Sequence, residues 1–304
     1  MKIRTLLSMV LLLAAGCAFS AATPGVPKAA LAKSLIVVEG VQMPAWVERA
    51  NGARDALTLG TSLSNKDRVI TGPGARALLR LADGSLIRLG ENGMLALDDL
   101  GQKKFQLKDV VTASLDVLSG AFRFTTQALT KFRGERDVKV RIVTITIGIR
   151  GTDLWGKADG TKDIACLIEG KVDVTRGDQA FTMDQPMSFY VALKDKPGEP
   201  VAPVPQEQLA KWAAETEIAA GAGALRKGGK WRVYLADASD QGAALRTYDQ
   251  LRNAGYAAEI RPVTTEAGIN YRVRISNLAT QQEAAALGAK LKAQMGFAEP
   301  KVSK

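Results

Sequence analysis

Two short runs of alternating apolar residues constrain the fold of the last quarter of this chain more than any other feature. Residues 231–235 and 271–275 place an apolar side chain at every second position, and each run precedes a stretch with helical periodicity. A third short run covers residues 257–263. Because a period of two indicates a strand and a period of 3.6 a helix, the pattern predicts strand, helix, strand, strand, helix.

The alternation also predicts which side chains share a face of this sheet. Strand side chains change sides at every residue, so one face packs against the helices. That face carries Val233, Leu235, Ile260, Val273 and Ile275. The other face, here called the open sheet face, carries Arg232, Tyr234, Glu259, Arg261, Arg272, Arg274 and Ser276. A face so rich in arginine is either a solvated charged surface or a binding site for an extended polar or anionic ligand, and we favour the binding site.

Two motifs in this region point to a family. A helix that ends in Ala254-Gly255-Tyr256 and a strand that begins Tyr271-Arg272-Val273-Arg274 make residues 230–304 resemble the SPOR (sporulation-related repeat) domain of bacterial cell-wall proteins. The resemblance implies a small α+β, ferredoxin-like domain whose open sheet face binds peptidoglycan, preferably glycan strands stripped of stem peptides. Tyr234 stands where the family commonly has glutamine, and Ala238 where it has phenylalanine, so the glycan preference stays open.

The clearest local unit of the preceding region is a hairpin around Asp83 and Gly84. A three-residue loop with Gly84 in the left-handed conformation would pair Leu79 with Ile87 and Ala77 with Leu89. A two-residue loop would instead place Arg88 opposite Leu79, with a charged residue facing an apolar one. The sequence therefore predicts the three-residue loop.

Short β-type runs separated by turns fill the rest of residues 34–193. They cover residues 35–38, 56–59, 68–70, 94–97, 104–107, 113–117, 120–125, 138–149, 164–168, 171–175 and 187–192. Residues 138–149 form the longest β-branched run, and Ile145, Ile147 and Ile149 share one of its faces. Because helical periodicity is almost absent before residue 207, this region is predicted to be all-β.

Two further motifs, Asp83-Gly84-Ser85 and Arg150-Gly151-Thr152, make residues 34–193 resemble the FecR-type domain. The resemblance implies an extracytoplasmic, mainly-β domain, similar to a solenoid-like or sandwich arrangement of short strands. Family members named for regulation sense a transporter and control a sigma factor through a cytoplasmic segment and a transmembrane helix, which we do not recognise here. Asp83 and Arg150 are predicted to be structural fasteners.

The first residues are typical of a secretory signal. Lys2 and Arg4 precede an apolar stretch at 6–15 and then small residues, so 1–22 is predicted to be a signal peptide and 23–33 a flexible lead. Residues 13–17 also resemble a bacterial lipobox that would lipidate Cys17. Both alternatives predict export to the periplasm of a Gram-negative bacterium. In the second, the chain would be a lipoprotein of the outer or inner membrane.

Proline clusters separate the two predicted domains. Residues 194–229 are predicted to be a Pro-rich linker with a short helix near 207–220 and a flexible joint at 221–229. The whole is therefore a multidomain chain: a mainly-β FecR-like domain at 34–193, the linker, and the SPOR-like domain at 230–304.

Composition excludes several chemistries. The chain has no histidine, so a Ser-His-Asp or Cys-His catalytic arrangement cannot be built. Cys166 lies in an apolar run and is predicted to be a small buried hydrophobic residue. We predict no catalytic residue, no metal site and no cofactor.

These observations predict a non-catalytic cell-envelope protein that binds denuded peptidoglycan glycan strands, with the β domain as a scaffold or as a docking module for an envelope protein. The resemblance to SPOR proteins also implies a role in cell division. The alternative is a FecR-like signalling component that contacts a membrane receptor. The net charge of +10 also suits nucleic acid. Export and the single tyrosine of the open sheet face argue against that partner, and membrane is a partner only if Cys17 is lipidated.

Overall fold

The computed structural model describes residues 35–105, 108–126, 134–266 and 268–304, with the backbone alone at 103–105, 108 and 109. The predicted signal peptide, Cys17 and the lead at 23–33 lie outside the described residues. Up to residue 200 the strands are Ile36–Gln42 (β1), Ala45–Glu48 (β2), Arg54–Ala56 (β3), Ser62–Leu63 (β4), Arg68–Thr71 (β5), Arg76–Leu81 (β6), Leu86–Leu89 (β7), Met94–Phe105 (β8), Lys108–Thr125 (β9), Glu135–Ile142 (β10), Ile145–Ile149 (β11), Asp153–Ala158 (β12), Lys162–Glu169 (β13), Val172–Arg176 (β14), Gln179–Met183 (β15) and Ser188–Leu193 (β16).

Among the described residues, helices occur only after these strands. The remaining elements are Ala202–Pro203 (β17), Gln206–Thr216 (α1), Ala224–Arg226 (β18), Trp231–Ala238 (β19), Gln241–Asn253 (α2), Ala258–Thr265 (β20), Gly268–Leu278 (β21), Gln281–Met295 (α3) and Lys301–Ser303 (β22). The fold is thus mainly β with helices in the carboxy-terminal part, as the sequence predicted.

Strands β1 to β17 form a β sandwich of two sheets. The first sheet contains β1, β4, β6, β7, β9, β12, β13, β16 and β17. The second contains β2, β3, β5, β8, β9, β10, β11, β14 and β15. Both contribute buried side chains to one hydrophobic core.

Strand β9 belongs to both sheets. Its first part pairs with β8 and β10, and its last part pairs with β7 and β12. Gly120, at φ +80°, lies where the strand passes from one sheet to the other, and a Cβ there would lie 2.6 Å from Gly93 Cα. Only glycine accepts that conformation and that approach without strain. The sequence had predicted two strands, 113–117 and 120–125, because the glycine interrupts the apolar pattern.

The predicted register of the hairpin is confirmed. Leu79 pairs with Ile87 and Ala77 with Leu89, and Gly84 has φ +88°. The β-branched run at 138–149, in contrast, is not one strand: β10 and β11 form a hairpin that turns at Val143, whose φ is +35°. Ile145, Ile147 and Ile149 are all buried, as their shared face predicted.

The linker helix α1 packs on the β sandwich. The ring of Trp212 stacks on that of Trp155 at a centroid distance of 4.7 Å and an angle of 10°, and Phe189 meets Trp212 edge-on at 5.5 Å. These aromatic rings, with Cys166, form a small second core on the outer face of the first sheet. Cys166 is buried, as predicted, and burial raises the pKa of its thiol to about 12.

The carboxy-terminal sheet has the strand order β22-β19-β21-β20. Helices α2 and α3 pack on one face of it, where Val233, Val273 and Ile275 are fully buried. The sequence did not predict β22, which pairs with β19 and extends the sheet. Residues 221–229 also differ from the expected flexible joint, because β18 within them pairs with β1 of the β sandwich and with β21.

A β-bulge alters one predicted face. The pairing of β19 with β21 shifts between Tyr234 and Ala236, so that Ala236 pairs with Val273 and Asp237 with Arg272. An extra residue in one strand moves every later side chain to the other face. Leu235, predicted to be in the core, is therefore only half-buried, and Asp237 joins the open sheet face.

Candidate functional site

The open sheet face is built from cross-strand rows, because register places one residue of each strand beside its neighbours. In one row Tyr234 lies between Lys301 and Arg274, and Arg274 is followed by Glu259. In the next row Arg272 lies between Asp237 and Arg261. The structure thus brings six of the seven predicted residues and two unpredicted ones, Asp237 and Lys301, into one surface, with Ser276 joined to it through Glu259: Arg232, Tyr234, Asp237, Glu259, Arg261, Arg272, Arg274, Ser276 and Lys301.

Glu259 organises one side of this face. Its Oε1 accepts hydrogen bonds from Arg274 Nε at 2.8 Å and from Ser276 Oγ at 2.5 Å, and its Oε2 lies 3.0 Å from Arg261 Nη2. Burial by itself would raise the pKa of Glu259, but the hydrogen bonds from Ser276 and Arg274 outweigh it and lower that pKa. Glu259 therefore stays ionised and holds the guanidinium groups in place.

Asp237 holds the guanidinium group of Arg272 in place. Arg272 Nε donates to Asp237 Oδ2 at 3.1 Å, while 39% of the Arg272 side chain remains exposed. An ion pair this exposed contributes little to stability, typically about 0.2–1 kcal/mol. Its effect is to orient the guanidinium group, whose other N–H donors stay available to a ligand.

Tyr234 lies in the middle of the face. The guanidinium carbons of Arg272 and Arg274 are 5.9 and 6.0 Å from the centre of its ring. Its hydroxyl accepts a 3.5 Å hydrogen bond from Ser303 Oγ. That bond, followed by donors from Arg274 and Arg232, lowers the pKa of the phenol against the opposing effect of burial. The ring therefore offers a flat surface on which a ligand can stack, and the guanidinium groups on either side of it offer hydrogen-bond donors to the same ligand.

The face continues into a cleft at the β19–β22 edge. The cleft has a volume of about 520 Å³ and is lined by residues that include Tyr234, Asp237, Arg272, Lys301 and Ser303. Arg232 is not among the residues that line it, and its Nη1 donates to the Lys304 backbone oxygen at 2.8 Å. Across the whole face the four arginines and Lys301 outnumber the two carboxylates, so the surface is cationic and rich in hydrogen-bond donors.

Asp237 could have been found from the sequence, because it breaks the even-numbered polar alternation of residues 232 and 234 and so marks a change of phase. Lys301 could not, since β22 is too short to show a period.

In the β sandwich, Asp83 is a fastener as predicted: its buried carboxylate accepts from Ser85 N and Oγ and from Arg136 Nε. Arg150 is not, because it is exposed and makes no hydrogen bond to the described residues.

The described residues show no cluster of three or more metal-ligating side chains. Within the same ranges, no helix is long and apolar enough to cross a membrane. The candidate site consists of guanidinium donors held by carboxylates and of one aromatic ring, an arrangement suited to binding an extended polar ligand.

Comparison with known proteins agrees with the two regions. Residues 67–173 match the FecR protein family and residues 227–302 match the SPOR domain. No curated protein matches significantly. Two crystal structures of a candidate anti-sigma factor from Parabacteroides distasonis are similar at 14% identity and a TM-score of 0.37, covering 75% of this chain and 92% or 91% of theirs. The two family matches establish that the chain carries a FecR domain followed by a carboxy-terminal SPOR domain.

Proposed function

We propose that this chain is a non-catalytic cell-envelope protein that binds peptidoglycan glycan strands through the open sheet face of its SPOR domain. SPOR domains bind peptidoglycan, and the observation that carries the proposal is the row of Tyr234, Arg274 and Glu259 across that face. The β sandwich then acts as a scaffold or as a docking module for an envelope protein. Export to the periplasm and a role in cell division belong to the same proposal.

The chemistry of the face suits a glycan. Tyr234 offers its ring to the apolar side of a sugar, and the Nη groups of Arg272 and Arg261 offer donors to hydroxyl, acetamido and lactyl oxygens. Glu259 and Asp237 hold these guanidinium groups in place before the ligand arrives. This preorganisation lowers the entropic cost of binding. A strand of sugars would lie across β19, β21 and β20, with stem peptides removed so that the backbone of the glycan can approach the sheet.

Binding of the full chain to purified sacculi tests this proposal. Sacculi treated with an amidase that removes stem peptides should bind more protein than untreated sacculi. The double variant Arg272→Ala, Arg274→Ala should lose most of this binding. The charge-matched control Arg68→Ala, Lys139→Ala, whose residues are exposed on the second sheet of the β sandwich, should keep it. Equal binding by the two double variants would refute the assignment to the open sheet face.

A second candidate function rests on the FecR domain match. In this alternative the β sandwich contacts a membrane receptor and the chain is a signalling component. Arg150 lies in an exposed turn beside a 460 Å³ cavity that Lys171 and Asp173 also line, so this turn is a suitable position for a photo-crosslinker. Recovery of one membrane protein from cells would support the alternative, whereas crosslinks to none would count against it.

A further inference from the structure

The segment between the two domains crosses the β sandwich in close contact with it. Ile218 lies over Gly40, where a Cβ would come within 2.9 Å of Ile218 Cδ1, so the side chain of the crossing segment packs closely on β1 at this point. Gln42 Oε1 then accepts a 3.2 Å hydrogen bond from Ala219 N. Residues 217–226, here called the strap, are therefore packed against β1 and do not hang free.

The strap ends as a strand shared by both domains. In β18, Ala224, Leu225 and Arg226 pair with Gln42, Val41 and Gly40 of β1. Leu225 also pairs with Leu278 of β21. The first sheet of the β sandwich and the sheet of the SPOR domain are thus one hydrogen-bonded sheet, and bending it at β18 would break backbone hydrogen bonds in a buried region.

One carboxylate holds the strap to the SPOR domain. Glu283, in the first turn of α3 and 7% exposed, accepts hydrogen bonds from Gly221 N at 2.7 Å, Gly223 N at 2.6 Å and Ala224 N at 2.9 Å. Gly221 and Gly223 have φ of +76° and +79°, and the three backbone N–H groups converge on the anion. A buried carboxylate with three such donors is strongly tied to its site.

Direct contacts between the two domains surround the strap. Ala45 N donates to Gly255 O at 3.0 Å, and Trp46 Nε1 donates to Asn253 O at 3.1 Å. A Cβ on Gly255 would lie 2.6 Å from Trp46 Cε2. The turn at 254–256, which is one of the two most specific SPOR motifs of the sequence, is in this chain also a point of contact with the β sandwich.

Two charged contacts add to this interface. Lys290 Nζ of α3 donates to Met43 O at 2.7 Å, and Arg252 of α2 forms an ion pair with Asp55 of β3. The interface therefore combines backbone pairing, tight packing at glycine and charge-assisted hydrogen bonds. It involves α2, α3 and β18 on one side and β1, β2 and β3 on the other.

We propose that the β sandwich and the SPOR domain move as one rigid body, with Glu283 as the latch that keeps the strap in place. The open sheet face is then held at a fixed orientation to the β sandwich. A partner docked on the β sandwich and a polymer bound to the SPOR domain would be held at a set distance and angle. This inference concerns the connection and does not depend on the identity of either ligand.

Distances between spin labels on the full chain test the proposal. Labels at Gln179→Cys on β15 and Arg246→Cys on α2 report on the two domains, in a Cys17→Ser background. Cys166 can stay, since it is buried and burial raises the pKa of its thiol to about 12. The rigid body predicts one narrow distance distribution. A flexible joint of the length of residues 221–229 would spread distances over roughly 17 Å, and such a spread would overturn the proposal.

The latch is tested by Glu283→Gln, with Glu266→Gln as the matched control at an exposed position. Glutamine turns an amide N–H toward a backbone donor, so hydrogen exchange at Gly223 and Ala224 should quicken by roughly tenfold or more and the label distances should broaden. The control should change neither. Unchanged exchange in a folded Glu283→Gln variant would refute the latch. If the Glu283→Gln variant does not fold, the distance distribution of the parent chain still tests whether the two domains form one rigid body. Trp46→Ala, which removes a direct contact between the domains, then takes its place as the variant expected to broaden that distribution.

Discussion

The two halves of the continuous sheet differ in what lies over the face turned away from the main core. In the β sandwich, α1 covers this face, and Trp212 stacks on Trp155. In the SPOR domain none of the described helices packs on it, and the surface shows Tyr234, Arg272 and Arg274. Both halves bury their other face, the β sandwich against its second sheet and the SPOR domain against α2 and α3, so it is in the second face that the two halves differ.

The residues on the second face explain this difference. Strand β13 has apolar side chains on both sides: Ala165 and Leu167 in the main core, Ile164 and Cys166 under α1. Such a strand gains by being covered on both faces. Covering the arginines of β21 would instead remove charged groups from water at a large cost. Leaving these arginines exposed avoids that cost, and it keeps their N–H donors available to a polar ligand.

The covered face gives the largest expected effect. Trp155→Ala removes a fully buried ring and should lower the free energy of unfolding by about 3–5 kcal/mol, because it leaves a cavity under α1. Denaturant unfolding measures this change. For the exposed substitution Leu245→Ala, the free energy of unfolding should stay within about 0.5 kcal/mol of that of the parent. An equal loss in both variants would mean that the ring under α1 contributes no more to stability than an exposed side chain.

On the bare face the effect should appear in binding and not in stability. Arg272→Ala should weaken binding to amidase-treated sacculi roughly tenfold to a hundredfold, as expected for loss of charge-assisted hydrogen bonds. Arg272→Lys should fall between, since lysine keeps the charge and loses the planar fork. If the lysine variant binds as well as the parent, only charge is being recognised and not the geometry of the donors.

Tyr234 supplies the one aromatic ring of the open sheet face, as defined by its residues above. Tyr234→Ala should weaken binding roughly fivefold through loss of stacking. Tyr234→Phe should change binding by less than about twofold, because it keeps the ring. A loss in Tyr234→Phe as large as that in Tyr234→Ala would assign the contribution to the hydroxyl, and so to its contact with Ser303.

A still smaller change is expected in the stability of the chain at acid pH. The pKa of Glu259 is lower in the folded chain than its ordinary value, so its contribution to stability is fully present above that ordinary value, near 4.5, and is lost as pH falls through the lower folded-state pKa. Unfolding of the parent and of Glu259→Gln, compared from neutral pH downward, should therefore converge in this acid range. Parallel curves throughout would mean that Glu259 is not coupled to Arg274 as described.

Local patterns of the sequence predicted most of the architecture. The register around Gly84 followed from the conformation that the turn requires, and the face of Ile145 and Ile147 from alternation alone. What alternation could not show was non-local. The out-of-phase Asp237 is the one sign of the bulge that the sequence carries, and the bulge itself depends on the pairing with β21; the strand β18 exists because β1 and β21 provide partners for it.

The same limit applies to the candidate site. Six predicted residues lie on the face as alternation indicated, and Glu259 is among them, but the sequence pattern showed neither which arginines Glu259 pairs with nor that Asp237 pairs with Arg272. The sequence also predicted a tether where the structure has the strap. Glycines at 221 and 223 suggested flexibility, whereas their positive φ angles serve to direct N–H groups at Glu283.

Binding of glycan by the open sheet face can be followed residue by residue in a titration. Soluble glycan fragments prepared by amidase treatment and added to the isotope-labelled full chain should shift the amide resonances of β19, β20 and β21, with the largest changes around Tyr234, Arg272 and Arg274. The Arg272→Ala, Arg274→Ala variant should show no such shifts. Shifts confined to the β sandwich, or none at saturating glycan, would contradict the account.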